Sequence, residues 1–149
     1  MSSVQQSVIA RAVIVANDQI LLARHHEHHN TFLPGGHVEP RESCVTTLQR
    51  ELDEELGISV EVGRYLGAIE YQWWDEPIST WHHNVSHCFE ARSSDLTPGV
   101  DPLAIEPHLL FCWSSVEDFE RHNLLPLPLR NLIAKLLDGD ERVWWASTM

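Results

Sequence analysis

Runs of β-branched and apolar residues, set off by turn signals, make up most of the chain. One segment in the first half and another near the end have helical periodicity instead. Together these observations predict an α+β chain built as a mixed β-sheet flanked by helices, mixed because strands and helices alternate irregularly. At 149 residues, 43% apolar and 21% charged, the chain is long enough to bury a core and is expected to form one domain over residues 1–149. No internal repeat, low-complexity stretch or linker divides it.

Ser7–Val15 is rich in β-branched residues, and Ile20–Ala23 resumes after the turn signal Asn17-Asp18, so a hairpin is expected. His25–Asn30 is polar and reads as a loop, and Pro34 with Gly35 and Gly36 then breaks regular structure. From Glu42 to Leu56, the apolar Val45, Leu48, Leu52 and Leu56 recur at helical spacing, and Gly57 supplies the stop. Val60–Tyr71 and Asn84–Ala91 read as strands joined by an aromatic-rich connection holding Trp73, Trp74 and Trp81. Ser93–Pro107 carries Pro, Gly and Asp and is expected to be a long loop. His108–Trp113 reads as a further strand. A short helix near Val116–Arg121 and a longer one at Leu129–Leu137, led in by Pro126 and Pro128, close the fold.

Charge narrows the function classes. The formal charge is −12, with one Lys and nine Arg. Such a surface repels nucleic acid polymers, whose binding relies on basic side chains meeting phosphates. A small phosphorylated substrate is still admissible where a metal ion and local arginines neutralise it. No apolar run reaches the length of a membrane span and the N-terminus has no basic segment followed by an apolar one, so no membrane partner and cytoplasmic residence are expected. Cys44, Cys88 and Cys112 are far apart and odd in number, as reduced, partly buried residues would be.

The chemistry concentrates between Gly36 and Ile58, GHVEPRESCVTTLQRELDEELGI. On a helix Glu51, Glu54 and Glu55 stand at i, i+3 and i+4, so three carboxylates crowd one face. Like charges at that spacing destabilise a helix by about 0.2–0.5 kcal/mol per pair. A hard divalent cation with oxygen ligands would offset the repulsion. In an arbitrary chain an acidic helix face is a solvated face. What sets this one apart is its frame: Gly36, Glu42, Arg50, Glu51, Leu52, Glu54, Glu55, Gly57 and Ile58 match every specified position of the pattern G-x5-E-x7-R-E-U-x-E-E-x-G-U, where U is bulky and aliphatic.

With those residues the chain closely resembles the Nudix hydrolase family, whose usual lead-in is also present as Leu33-Pro34-Gly35. The resemblance implies an α/β/α sandwich and hydrolysis of a nucleoside diphosphate linked to another moiety, by water attacking phosphorus. It implies Mg²⁺ or Mn²⁺ as cofactor, held by Glu51, Glu54 and Glu55 with the Gly35 carbonyl as a further ligand. Arg50 would orient the carboxylates and Glu42 would support the metal or water network. For the general base, family members use either a signature Glu, here Glu51, or a Glu from a later loop, here Glu106 with Asp101 behind it. Spacing does not decide between them.

Substrate contacts are expected outside this segment. Arg24, at the end of the second strand, stands where family members place a phosphate-contacting Arg, which suits bidentate contact; a plain surface role fits it equally. Trp73 and Trp81 are candidates to stack a base, against the ordinary role of Trp in cores and interfaces. Trp144 and Trp145 read as packing or homodimer contacts. His25, His26, His28 and His29 lack Cys or carboxylate partners, so zinc is not expected, though one of them could touch substrate phosphate. Relatives that read purines use an Asn just before the last helix, where this chain has Leu125-Pro126-Leu127-Pro128-Leu129 and Asn131 only later. Pro77, nineteen residues past Ile58, is a loose match to ADP-ribose hydrolases. The expected substrate is a small nucleotide, a nucleoside triphosphate first and ADP-ribose or a nucleotide sugar second. A non-catalytic module of the same fold, binding a nucleotide or a protein, is the other class of reading.

Overall fold

The structure is a computed structural model that describes residues 3–149. Its strands are β1 (Ser3–Ala16), β2 (Gln19–His25), β3 (Gly35–His37), β4 (Glu61–Asp75), β5 (Thr80–Arg92), β6 (Leu109–Ser114) and β7 (Trp144–Ser147), and its helices are α1 (Cys44–Leu56) and α2 (Pro128–Leu137). The described strands form one sheet in the order β6-β2-β1-β5-β4-β7, with β3 paired to β1. The pairs β1–β5 and β4–β7 are parallel and the others antiparallel, so the sheet is mixed as expected. Among the described residues no helix is long and apolar enough to cross a membrane.

Alternation along the central strands assigns the core to both faces. Ala12 and Ile14 of β1 and Leu21 and Ala23 of β2 pack with Leu48, Leu52 and Leu56 of α1. Their neighbours Val13, Ile20 and Leu22 face the other way and pack with Leu129 and Ile133 of α2. This is the helix–sheet–helix sandwich that the family resemblance implied. Full burial of a side chain such as Leu52 contributes about 1.5–3 kcal/mol.

Helix α1 begins and ends where its sequence dictates. The Ser43 hydroxyl accepts the Thr46 N–H at the N-cap. At the other end Gly57, left-handed at φ 68°, donates its N–H to the Asp53 carbonyl at 2.8 Å, and a glycine adopts that conformation without a Cβ penalty.

Several sequence expectations are corrected. Val45 is exposed and Thr47 takes its place in the buried stripe, where its hydroxyl is satisfied by donating to the Glu42 carboxylate at 2.7 Å and the Ser43 carbonyl at 2.9 Å. Trp73, Trp74 and Trp81 do not lie in a connection: β4 and β5 run on through them as a long hairpin, turning only at Glu76–Ser79. The aromatic and β-branched residues favour extended backbone, and continuous cross-strand pairing extends the ladder. Gly35 and Gly36 form a short strand rather than only a break, since β1 offers them a partner edge. The region after β6 holds a single 3₁₀ turn, Val116–Asp118, in place of a short helix. Trp144 is buried and starts β7, a strand that sequence reading missed.

Candidate active site

The site begins with a tight approach of backbones. Gly35 has φ 142°, and a Cβ there would lie 2.0 Å from the Ala10 carbonyl oxygen, so β3 meets β1 at a distance only glycine permits. Gly36 leaves room for something else. A Cβ on it would fall 2.5 Å from the carboxylate of Glu51 on α1. The two glycines thus let one acidic side chain of the helix press against β3.

Arg50 organises the carboxylates around that contact. Its Nε and Nη2 donate to the two oxygens of Glu42 at 2.7 and 2.9 Å, and its Nη1 donates to Glu51 at 2.9 Å and to Glu54 at 3.4 Å. It also donates to the His37 carbonyl at 3.2 Å, tying α1 to β3. The fork matches carboxylate geometry in a way Lys cannot. With the Arg50 guanidinium and then the Thr47 hydroxyl as donors, the Glu42 carboxyl is held down at about 2.

Glu55 responds in the opposite direction. Burial first, and then the neighbouring Glu51 carboxylate, push its carboxyl up to about 8, and Glu106 adds to the rise while Arg11 opposes it. The buried Glu55 carboxyl therefore holds a proton at neutral pH beside the Glu51 carboxylate. Glu106 reaches the pair because the Ile105 N–H donates to the Glu55 carbonyl at 2.7 Å, fastening the long loop to the end of α1. Glu54 lies half exposed and leans toward Arg50. Among the described residues no three His, Cys, Asp or Glu side chains converge as a preformed metal cage.

Beside the carboxylates is an open cavity of about 610 Å³ with no acidic residue in its lining. Phe32, Tyr71 and Trp73 provide aromatic walls, Leu125–Leu127 an apolar one, and Arg11, His25 and His28 the basic groups. The Trp73 ring is held by stacking on His82 at 4.3 Å. Burial first, and then His108, His28 and Arg11, lower the proton affinity of His25.

The other sequence candidates are dispersed. Arg24 donates to the His28 carbonyl at 3.3 Å and is not part of the cavity wall. Trp81 points to the opposite sheet face, tilted against Trp74 at 5.4 Å. Asp101 accepts the Trp113 N–H at 3.0 Å, a structural bond away from the carboxylate pair. Sequence reading missed Arg11. It lines the cavity, donates to the Leu33 carbonyl at 3.0 Å and lies 5.2 Å from the Phe32 ring centroid. The available signal was a lone cation inside the apolar run of β1.

Known proteins share the domain and its fold. The NUDIX domain model matches residues 6–137. The solution structure of the E. coli ORF135 protein is 28% identical, with 90% of this chain and 92% of that one covered at a TM-score of 0.62. A MutT NUDIX hydrolase from Burkholderia pseudomallei is also 28% identical, covering 76% and 85% at a TM-score of 0.59. A curated relative, a UPF0276 protein of Rhizorhabdus wittichii, is 31% identical over 99 residues, which is 66% of this chain and 28% of that protein. The chain thus spans just over a quarter of that relative's length. With the acidic helix, its glycine frame and the domain match in one place, the chain belongs to the NUDIX family.

Proposed function

We propose that the protein is a Mg²⁺-dependent (or Mn²⁺-dependent) pyrophosphohydrolase acting on a small nucleotide, with a nucleoside triphosphate as the leading substrate class. The observation that carries this reading is the Glu51–Glu55 carboxyl pair placed beside an acid-free cavity. A buried carboxyl group that burial and a neighbouring carboxylate keep protonated suits a divalent cation in that proton's place, so the donor set fits a hard metal. Glu51 and Glu55 would hold it, Glu54 would join by turning from Arg50, and the Gly35 carbonyl would be a further ligand. When bound, the ion supplies Lewis-acid neutralisation of nonbridging phosphate oxygens and lowers the proton affinity of water.

The chain's own residues do the rest. Arg50 keeps Glu42 ionised and holds Glu51 in register, and Glu42 supports the network from behind. Glu106 accepts the proton of the attacking water, with Glu51 as the alternative base. The attacking oxygen bonds to phosphorus, the anhydride bond breaks and its electron pair leaves with the departing phosphate group. Arg24, outside the cavity wall, is assigned to substrate phosphate and Trp73 to stacking the base, while Trp81, on the opposite sheet face, takes no part in the site. The cavity has room for more than a nucleoside, and this volume favours ADP-ribose or a nucleotide sugar as the second reading.

A panel of nucleoside triphosphates, ADP-ribose and nucleotide sugars with Mg²⁺ or Mn²⁺, read by product mass, tests the substrate class. Glu54→Gln keeps size and loses ligand charge, so it should nearly abolish turnover with the melting temperature retained. Near-full activity in that variant would overturn the metal assignment. Tight nucleotide binding without any hydrolysis across the panel would favour the non-catalytic module instead.

A further inference from the structure

Basic groups gather at one end of the cavity. His25 closes β2 and stacks on His108, with ring centroids 5.5 Å apart and planes 14° from parallel. The His28 ring meets His25 edge-on at 5.7 Å, and the Phe32 ring lies 5.2 Å from it. Arg11 enters from β1, its guanidinium 5.2 Å from the Phe32 centroid and donating to the Leu33 carbonyl. Backbone contacts fix this arrangement: the His26 N–H donates to the His108 carbonyl at 3.0 Å, and Arg24 donates to the His28 carbonyl at 3.3 Å. Arg11, His25 and His28 all line the cavity, whose wall among the described residues has no acidic side chain. In a chain of net charge −12, basic groups converging on an acid-free hollow mark a place for an anion.

The other end is aromatic. Trp73 shares its row of the sheet with His82 and Gln5, and Arg11 stands six residues beyond Gln5 on β1. At about 3.3 Å per residue the two rows are roughly 20 Å apart. A nucleotide laid along the cavity with its base on Trp73 directs its phosphates toward Arg11 and the histidines.

We propose that Arg11, His25 and His28 form a subsite for a terminal phosphate of the substrate, so that the protein prefers a nucleoside triphosphate to ADP-ribose or a nucleotide sugar. The inference rests on the pyrophosphohydrolase reading above. A terminal phosphate is close to dianionic at neutral pH, with a second pKa of about 6. Both phosphates of an internal diphosphate are monoanionic diesters, so the basic set favours the terminal group. Burial lowers the proton affinity of His25, and the neighbouring His108, His28 and Arg11 lower it further. The Glu106 carboxylate stands behind His108 at 3.8 Å. An arriving dianion offsets the repulsion among the basic groups and draws a proton from solvent onto His25. Binding therefore takes up a proton and weakens as pH rises.

Inorganic triphosphate and cyclic trimetaphosphate test the subsite without base or metal, since only the linear anion has terminal phosphates. Calorimetry on metal-stripped protein near pH 7.5, in two buffers of different ionisation enthalpy, should show the linear anion binding more tightly and with proton uptake. In the double variant His25→Asn, His28→Asn, loss of hydrogen bonds to a charged group should weaken triphosphate binding by about tenfold. The uptake should vanish with the melting temperature retained, because both side chains are exposed. Equal affinity for the two anions, binding without proton uptake, or a double variant that binds like the wild type overturns the proposal. None of these readouts needs turnover. Hydrolysis across the nucleotide panel without them removes the subsite alone. A subsite that passes in a protein that hydrolyses nothing removes the pyrophosphohydrolase reading and leaves the phosphate site in place.

Discussion

Gly36→Ala separates the fold from the chemistry. Gly36 is not left-handed, so alanine is compatible with its backbone, and the new Cβ meets the Glu51 carboxylate at 2.5 Å. Restoring an ordinary 3.4 Å contact moves that carboxylate by about 0.9 Å, which stretches its 2.9 Å bond to Arg50 beyond hydrogen-bond length. The group that yields is the end of a flexible side chain, so the backbone stays in place. Alanine restricts the unfolded chain and stabilises by about 0.4–1 kcal/mol, while loss of a partly exposed ion pair costs about 0–1 kcal/mol. Net stability should therefore stay within about 1 kcal/mol of the wild type. Catalysis should not be spared, because a displacement near 1 Å in the catalytic constellation costs about 100-fold, or roughly 2.7 kcal/mol of transition-state stabilisation. Urea denaturation and kcat/KM on the best substrate of the panel measure the two quantities. Wild-type kcat/KM in a folded Gly36→Ala protein would refute the placement of Glu51 at the reacting centre.

Three further outcomes follow from the same geometry. Gly35→Ala should do the reverse and destabilise the fold by more than about 2 kcal/mol, because its Cβ meets the Ala10 backbone at 2.0 Å at φ 142°; a denaturation midpoint like that of Gly36→Ala would contradict this. For Glu55 the folded state binds its proton more tightly than the unfolded state, about 8 against 4.5. The stability from that proton is full below pH 4.5 and is lost as pH rises through 8. Metal-free Glu55→Gln, which imitates the protonated form, should match the wild type in urea near pH 4.5 and exceed it at pH 8 to 9, and added Mg²⁺ should narrow the gap. Parallel pH curves would count against the carboxyl pair. Glu42 has the opposite sign: its carboxyl is held near 2, so its stability is present above pH 4.5 and lost as pH falls toward 2. Arg50→Lys removes the two-pronged contact, so its deficit in urea midpoint should shrink over that window and vanish near pH 2. A deficit that does not change with pH would point to packing alone.

The acidic helix was legible because its causes are local: Gly57 ends it, Leu48, Leu52 and Leu56 repeat at its period, and Glu51, Glu54 and Glu55 fall on one side by helical geometry alone. The hairpin of β1 and β2 was legible for the same reason, through its turn signal and β-branched runs. Trp73 and Trp81 were assigned one task because they are close in sequence. Strand pairing sends them to opposite faces, one to the cavity wall and the other to a bare surface. Gly35 and Gly36 read as breakers until a neighbouring edge gave them partners.

The sequence by itself determined the family and the helix carrying the carboxylates, since both rest on residue spacing within one segment. Only the tertiary structure decided that burial raises the Glu55 carboxyl, that Arg11 lies between cavity and carboxylates, and that three tryptophans share an uncovered face. Burial, cross-strand register and the approach of α1 to β3 are long-range quantities. Each depends on residues brought together from distant parts of the chain.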